Sequence, residues 1–386
     1  LFADKILGLR KSLFWGGILM IIGSVILAID PKNFFFIGLG FTIVGTGFFK
    51  PNISSMVGQL YPDGDPRRDA GFSFFYMGVN LGALIGGYIC IAVAEGSMWQ
   101  SIVPEHLRWN VGFGFAAIVM IISLLTFTQT QKSLGPIGLS PLKEMMVSKR
   151  KQLEIVTYVG SLLVIPLIIV MVANTHYTDY FMICIGPASI LYLLYEMKNF
   201  TLAENKKLFA ALIFIIFSIF FWAFFEQSGG SLSLFAVNNL NNTIGGVVLS
   251  PNGVNNSANS FFVIGFAALV GLVWLWLDKR KIEPNTVIKF GLAFLFLAGG
   301  FWVFYYTKFF ADGFGRTSLG IFTFGWFVIT LGELCLSPIG MSAMTKLSPS
   351  KTQAVIMGMW FLASAYGQYF AGILGANIAE ASEQSS

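Results

Sequence analysis

Three ionisable residues stand inside long apolar runs of this 386-residue sequence: Lys50, Glu226 and Glu333. A charge at the centre of a bilayer costs on the order of 3 kcal/mol on insertion scales, so such residues usually mark a substrate or ion pathway. Lys50 lies about ten residues from the basic end of its run, which at ~1.5 Å per residue puts it ~15 Å deep, near the midplane. Glu333 is similarly deep in a second run. Each stands near a proline, Pro51 and Pro338 respectively. A proline inside a helix leaves the carbonyl of the preceding turn without its usual donor, so both helices can bend beside their charge. A Lys50–Glu333 ion pair that only locks two halves of the molecule together is the alternative reading.

Glu226 closes the aromatic run Phe221-Trp222-Ala223-Phe224-Phe225. Helical spacing puts Trp222 on the same face, one turn earlier. A carboxylate beside an aromatic face suits an ammonium group, which can donate to the first and lie over the second. Tyr76 and Asn80 repeat that spacing and give another apolar stretch a polar face; hydrogen bonding between helices is the competing use for such pairs. A zwitterion, with its amine and carboxylate a few ångströms apart, is complementary to a cavity with Lys50 on one half and Glu226 and Glu333 on the other.

The elements that carry these residues belong in lipid. With 55% hydrophobic, 16% aromatic and 11% charged residues, and a mean hydropathy of +0.73, the chain has too little polar surface to cover a water-soluble globule. A spanning helix needs about 20 mainly apolar residues, and about eleven stretches qualify: 12–29, 33–58, 70–94, 109–128, 155–173, 178–195, 207–237, 260–277, 286–307, 318–345 and 353–379. Stretches of that length exclude a membrane β-barrel. The polar segment 238–258 reads as an outer loop.

Placing Leu1–Lys11 in the cytoplasm puts most of the 24 Lys and Arg on that side, among them Arg67, Arg68, Lys143, Lys149, Arg150, Lys151, Lys289 and Lys346. Lys32, Arg108, Lys308 and Arg316 fall outside. This is the positive-inside asymmetry, so the net charge of +5 reports membrane topology and gives no reason to invoke nucleic acid. Cys90, Cys184 and Cys335 sit in apolar stretches without metal-ligand spacing, and His106 and His176 lie in separate outer loops, so neither a metal site nor a disulfide framework is expected.

Shifting the chain along itself aligns Gly45 with Gly332, Pro51 with Pro338, Ser55 with Ser342 and Gly71 with Gly358. Corresponding Gly- and Pro-interrupted spans in two halves point to the binding site of a transporter; chance likeness of two hydrophobic stretches is the alternative. A membrane enzyme needs a nucleophile, metal or His/Asp dyad that these isolated histidines do not supply. A channel needs a ring of like charges or carbonyls, whereas the intramembrane charges here are of mixed sign.

At this point the sequence resembles the proton-dependent oligopeptide transporters of the major facilitator superfamily. Phe49-Lys50-Pro51-Asn52-Ile53-Ser54 is similar to the family's fourth-helix motif and Phe75-Tyr76-Met77-Gly78-Val79-Asn80-Leu81-Gly82 to its fifth-helix signature. Phe221-Trp222 through Glu226-Gln227 resembles the seventh helix, Glu333-Leu334 with Ser337-Pro338-Ile339-Gly340 the tenth, and Trp360-Phe361-Leu362-Ala363-Ser364 the eleventh. Ala3-Asp4-Lys5-Ile6-Leu7-Gly8 resembles the loop between helices two and three, which implies that helices one, two and twelve are missing from this chain.

The resemblance implies an all-α polytopic fold of two pseudo-symmetric helix bundles with an inserted helix pair. It divides the chain into an N-terminal bundle (1–128), a cytoplasmic linker with the inserted hairpin (129–200) and a C-terminal bundle (201–386). It further implies a symporter in a bacterial inner membrane, importing di- and tripeptides by alternating access, with the proton gradient as driving force and no cofactor. Lys50 is then to attract the peptide carboxylate and to take part with Glu333 in a switchable, proton-coupled ion pair, and Glu333 is to hold the amino group. Asn80 and Asn259 are to bond the peptide backbone or termini, with Tyr76 beside them, and Trp222, Trp360 and Ser364 are to line side-chain pockets. Glu226 is to serve proton coupling through a basic partner on helix one. The family commonly has Asn-Pro where this chain has Asn259-Ser260. A nitrate or other small-anion carrier of the same branch is the alternative function, disfavoured by two membrane carboxylates.

Overall fold

The computed structural model describes residues 2–62, 64–94, 99, 101–142 and 145–384. Lys143 lies outside the described residues. Helices dominate, because a backbone in lipid can satisfy its own N–H and C=O groups only within a helix or a closed barrel. In chain order they are α1 (Leu9–Ile29), α2 (Phe35–Gln59), α3 (Arg67–Ala94), α4 (Arg108–Thr130), α5 (Val147–Ala173), α6 (Thr175–Glu196), α7 (Leu202–Phe225), α8 (Ser231–Asn239), α9 (Pro251–Lys279), α10 (Thr286–Tyr306), α11 (Leu319–Leu347) and α12 (Gln353–Gln384). A two-stranded hairpin, β1 (Thr243–Ile244) with β2 (Val247–Val248), precedes α9.

Among the described residues, 8 helical segments are long and apolar enough to cross a membrane. The other stretches expected to span coincide with α2, α3 and α12, helices of 25, 28 and 32 residues. Their glycines and polar side chains dilute the apolar character. Pro51 and Pro338 both lie within continuous helices, α2 and α11.

Two expectations need correction. The stretch 207–237 is not one helix: α7 ends at Phe225, a 3-10 turn covers Glu226–Gly229, and Gly230 leaves helical geometry at φ −120°, ψ −113° before α8 begins. Side chains bond backbone carbonyls at this break and on the neighbouring α12. Gln227 Nε2 donates to the Ala223 and Ala371 carbonyls at 3.1 and 3.4 Å, and Asn255 Nδ2 donates to the Ser228 carbonyl at 2.8 Å. Irregular backbone at membrane depth is tolerated only where protein groups pair with it in this way. Nor is 238–258 all loop. α9 starts at Pro251, with Ser250 as N-cap accepting from the Gly253 N–H at 3.2 Å, so Asn255 and Asn256 are helical.

The chain packs as two compact units. The first comprises Leu1–Pro62, Ile85–Leu208 and Leu347–Met359. Its centre is the contact of α1 with α2, made through glycines: a Cβ on Gly16 would sit 2.6 Å from the Gly45 carbonyl oxygen, and one on Gly23 2.5 Å from that of Gly38. Small residues let membrane helices approach to backbone contact. The Asp4 carboxylate accepts the Ala354 and Val355 backbone N–H groups at 2.9 and 3.0 Å, capping the first turn of α12. Ala3, Leu9, Leu13, Met56 and Ala354 close over that joint.

The second unit comprises Asp63–Leu84, Phe209–Lys346 and Trp360–Ser386. Its core is aromatic, running from Phe225 through Trp326 and Phe304 to Phe322 with ring centroids 6.0, 5.9 and 4.7 Å apart. Val263 and Ala267 of α9 and Leu334 of α11 are fully buried and pack against Tyr76 and Met77 of α3.

Candidate functional site

Within the second unit α3, α7, α9 and α11 line an open-sided cavity of about 260 Å³. Glu226 and Glu333 both line it, with Tyr76, Asn80, Asn255, Asn256 and Asn259 as the amide and phenol groups and Trp222, Phe225 and Trp326 as aromatic walls. Among the described lining residues none is a cation.

Glu333 is 2% exposed. Its Oε2 accepts from Asn259 Nδ2 at 2.5 Å, and its Oε1 accepts from the Tyr76 hydroxyl. Asn259 is oriented from the other side, since Nδ2 also reaches Thr330 Oγ1 at 3.2 Å, and Thr330 in turn donates to the Trp326 carbonyl at 2.7 Å. Asn80 Nδ2 donates to the Tyr76 carbonyl at 3.0 Å, so this amide braces the helix turn that carries the phenol. The carboxylate is thus held by neutral donors on two helices. Such a group can accept a proton, or a cationic ligand that takes over one of its lone pairs.

Glu226 sits on the 3-10 turn and accepts from Gln368 Nε2 at 3.2 Å. Trp222, one turn earlier on α7, packs edge-on to Phe225 at 5.1 Å and against Gly367 of α12, where a Cβ would meet its own Cβ at 2.2 Å. Trp222 and Glu226 both line the cavity.

Trp360 and Ser364, also of the second unit, are not among the residues that line this cavity. Trp360 is 2% exposed, with its ring filling the space over Gly340 and meeting Phe290 at 6.1 Å. Ser364 is half-buried on α12. Lys50 belongs to the first unit, exposed on α2, and its carbonyl accepts from Ser54 Oγ at 3.0 Å.

Sequence reasoning missed Asn255 and Trp326, which bond each other, Trp326 Nε1 donating to Asn255 Oδ1 at 3.2 Å. The cap signal Ser250-Pro251 was the available clue. Extending the helix back to it places Asn255 one turn before Asn259 on the same face.

A second charged cluster was read from sequence only as topology. Lys289 is 2% exposed and bridges Asp69 Oδ2 at 2.8 Å and Glu283 Oε1 at 2.6 Å, with its ammonium 4.7 Å over the Trp274 ring. Asp69 Oδ1 accepts from Lys346 at 2.6 Å and from the Ser342 hydroxyl. α3 and α11 therefore meet through carboxylates at two levels, Asp69 near the start of α3 and Glu333 deeper.

Comparison with known proteins extends this geometry. The sequence model of the POT family matches residues 10–385. The chain is 33% identical over 403 residues to the peptide transporter YePEPT of Yersinia enterocolitica, covering 98% of this chain and 75% of that protein. It is 31% identical over 381 residues to a di-/tripeptide transporter of Lactococcus lactis subsp. cremoris, covering 95% and 74%. The crystal structure of a POT family transporter in complex with a thioalcohol-conjugated peptide superposes with a TM-score of 0.71 at 29% identity, covering 98% of this chain and 78% of that one.

Proposed function

We propose that this chain, which belongs to the POT family and is a multi-pass membrane protein of the all-α major facilitator fold, is a proton-coupled carrier that imports di- and tripeptides. The observation that carries the reading is the cavity of the second unit, in which two carboxylates, several amides and aromatic walls face one space. An α-ammonium group fits there. It can take up the lone pairs of Glu333 while Asn259 and Asn80 offer amides to a peptide bond, and Trp222 gives its cation-stabilising face. Lys50, an ammonium on a membrane helix, is the proposed reader of the peptide carboxylate.

Glu226 and Glu333 are the proposed proton carriers. A carboxylate that surrenders its ligand must regain a proton or a donor before its helix can move, which ties cargo release to protonation. In a bacterial plasma membrane, the proposed location, one proton moving down 100 mV releases about 2.3 kcal/mol, enough for roughly fiftyfold accumulation of a neutral cargo. A small-anion carrier is disfavoured, because nitrate entering a cavity lined by carboxylates gains no attraction.

The test is uptake of labelled dialanine into proteoliposomes with an imposed inward proton gradient. Accumulation that collapses with a protonophore is expected. Nitrate uptake without dialanine uptake removes the peptide assignment.

A further inference from the structure

The first unit holds a cavity unrelated to the carboxylate site. A groove of about 460 Å³ opens where α1 begins and α4 ends, beside the first half of α5, and Arg10, Lys11, Phe14, Trp15, Ile18 and Tyr158 line it. We propose that it binds one anionic glycerophospholipid, with the headgroup phosphate at Arg10 and Lys11 and an acyl chain along Phe14 and Ile18.

Charge is the first support. Arg10, Lys11 and Arg150 gather at this end, and the carboxylate described among them is Glu154, which takes Lys11 at 2.6 Å and lies 3.8 Å from Arg150. Arg10 is fixed by neutral groups, donating from Nε to the Ile137 carbonyl and from Nη2 to the Gly135 carbonyl, each at 2.7 Å. Its charge is thus positioned without being cancelled. The Lys11 side chain is 44% exposed and keeps further N–H donors free of Glu154. An excess of cations over carboxylates at the cytoplasmic ends of membrane helices is the pattern that attracts anionic headgroups.

Depth and shape are the second. The cations Arg10 and Lys11 stand at the start of α1 and Thr128 and Gln131 at the end of α4, on the side that the Lys/Arg asymmetry places in the cytoplasm, hence at headgroup level. Trp15 and Tyr158 pack at 4.8 Å, with Trp15 Nε1 donating to Ser161 Oγ at 2.9 Å, an aromatic pair suited to that interface. Below the cations the wall turns apolar through Phe14, 38% exposed, and Ile18. Free phosphate has no use for that wall, whereas an acyl chain covers it.

Trp15 makes the site readable. In nanodiscs, phosphatidylglycerol with brominated acyl chains is expected to quench the protein's fluorescence more than brominated phosphatidylcholine, and Trp15→Phe to remove the difference although the chain holds 9 tryptophans. Lys11→Gln should lower the preference about fivefold, the effect of one interfacial cation. Glu154→Gln should raise it, since the competing carboxylate is gone, and this opposite sign separates a binding effect from misfolding. Equal quenching by the two lipids, a difference that survives Trp15→Phe, or a fall with Glu154→Gln overturns the proposal. Abolition of the difference by inorganic phosphate assigns the groove to a free anion and overturns the lipid reading.

Discussion

Asp69 and Glu333, both buried in the second unit where α3 meets α11, are held in opposite ways. Asp69 is surrounded by two ammonium groups and a hydroxyl, from Lys289, Lys346 and Ser342. Glu333 is held by a phenol and an amide, from Tyr76 and Asn259. The first carboxylate finds its counter-charge inside the protein, and little is gained by bringing it another. Among the described residues the second has only neutral donors, so an arriving cation or proton supplies the charge they lack. Burial of a charge does not by itself mark a ligand site; burial without an internal counter-ion does.

The largest expected effect lies on the structural side of that contrast. Asp69→Ala removes the carboxylate shared by Lys289 and Lys346 and leaves the fully buried Lys289 paired with Glu283 alone among its described ion pairs, a loss of up to about 3 kcal/mol, the low end for breaking a buried pair. Thermal unfolding in detergent should show this loss. Glu333→Gln keeps a carbonyl for the same donors and should leave the unfolding temperature close to wild type while abolishing concentrative dialanine uptake. If the two variants lose stability equally, the distinction between a structural and a ligand-facing carboxylate fails.

A smaller effect sharpens the ligand-facing side. Tyr76→Phe removes one of the two neutral donors to Glu333, and a hydrogen bond to a charged group contributes about 1.5–3 kcal/mol. A bound ammonium compensates part of that, so the apparent affinity for dialanine should change by no more than about tenfold, with uptake retained. Complete loss of uptake in Tyr76→Phe would make the phenol itself part of the transport chemistry.

Much of this cavity's lining is legible in the sequence. Glu226, Glu333, Tyr76, Asn80 and Trp222 are polar or aromatic departures from apolar helices, and intramembrane polar groups are rare enough to be seen one by one. Asn255 and Trp326 were not seen, because a hydropathy reading ends a helix where polarity begins, while the backbone continues to its cap at Ser250. The break after Phe225 was hidden for the converse reason: the run stays apolar through Leu234, and only Gly229-Gly230 hints that helical geometry is abandoned. Lys289 and Lys346 misled through statistics. Basic residues at span ends do report topology, and nothing in their spacing announces that Asp69 of α3 lies between them.

Whether Glu333 reads the amino group of a peptide is decided by competition. Labelled dialanine uptake into proteoliposomes is inhibited with free and with N-acetylated dialanine under an imposed inward proton gradient. Acetylation removes the positive charge and leaves the carboxylate without the partner its cavity lacks, a loss softened by water entering from the open side. The acetylated form should bind about ten- to a hundredfold more weakly, equivalent to ~1.4–2.8 kcal/mol. Equal inhibition by the two forms would contradict the account and return Glu333 to a role in packing.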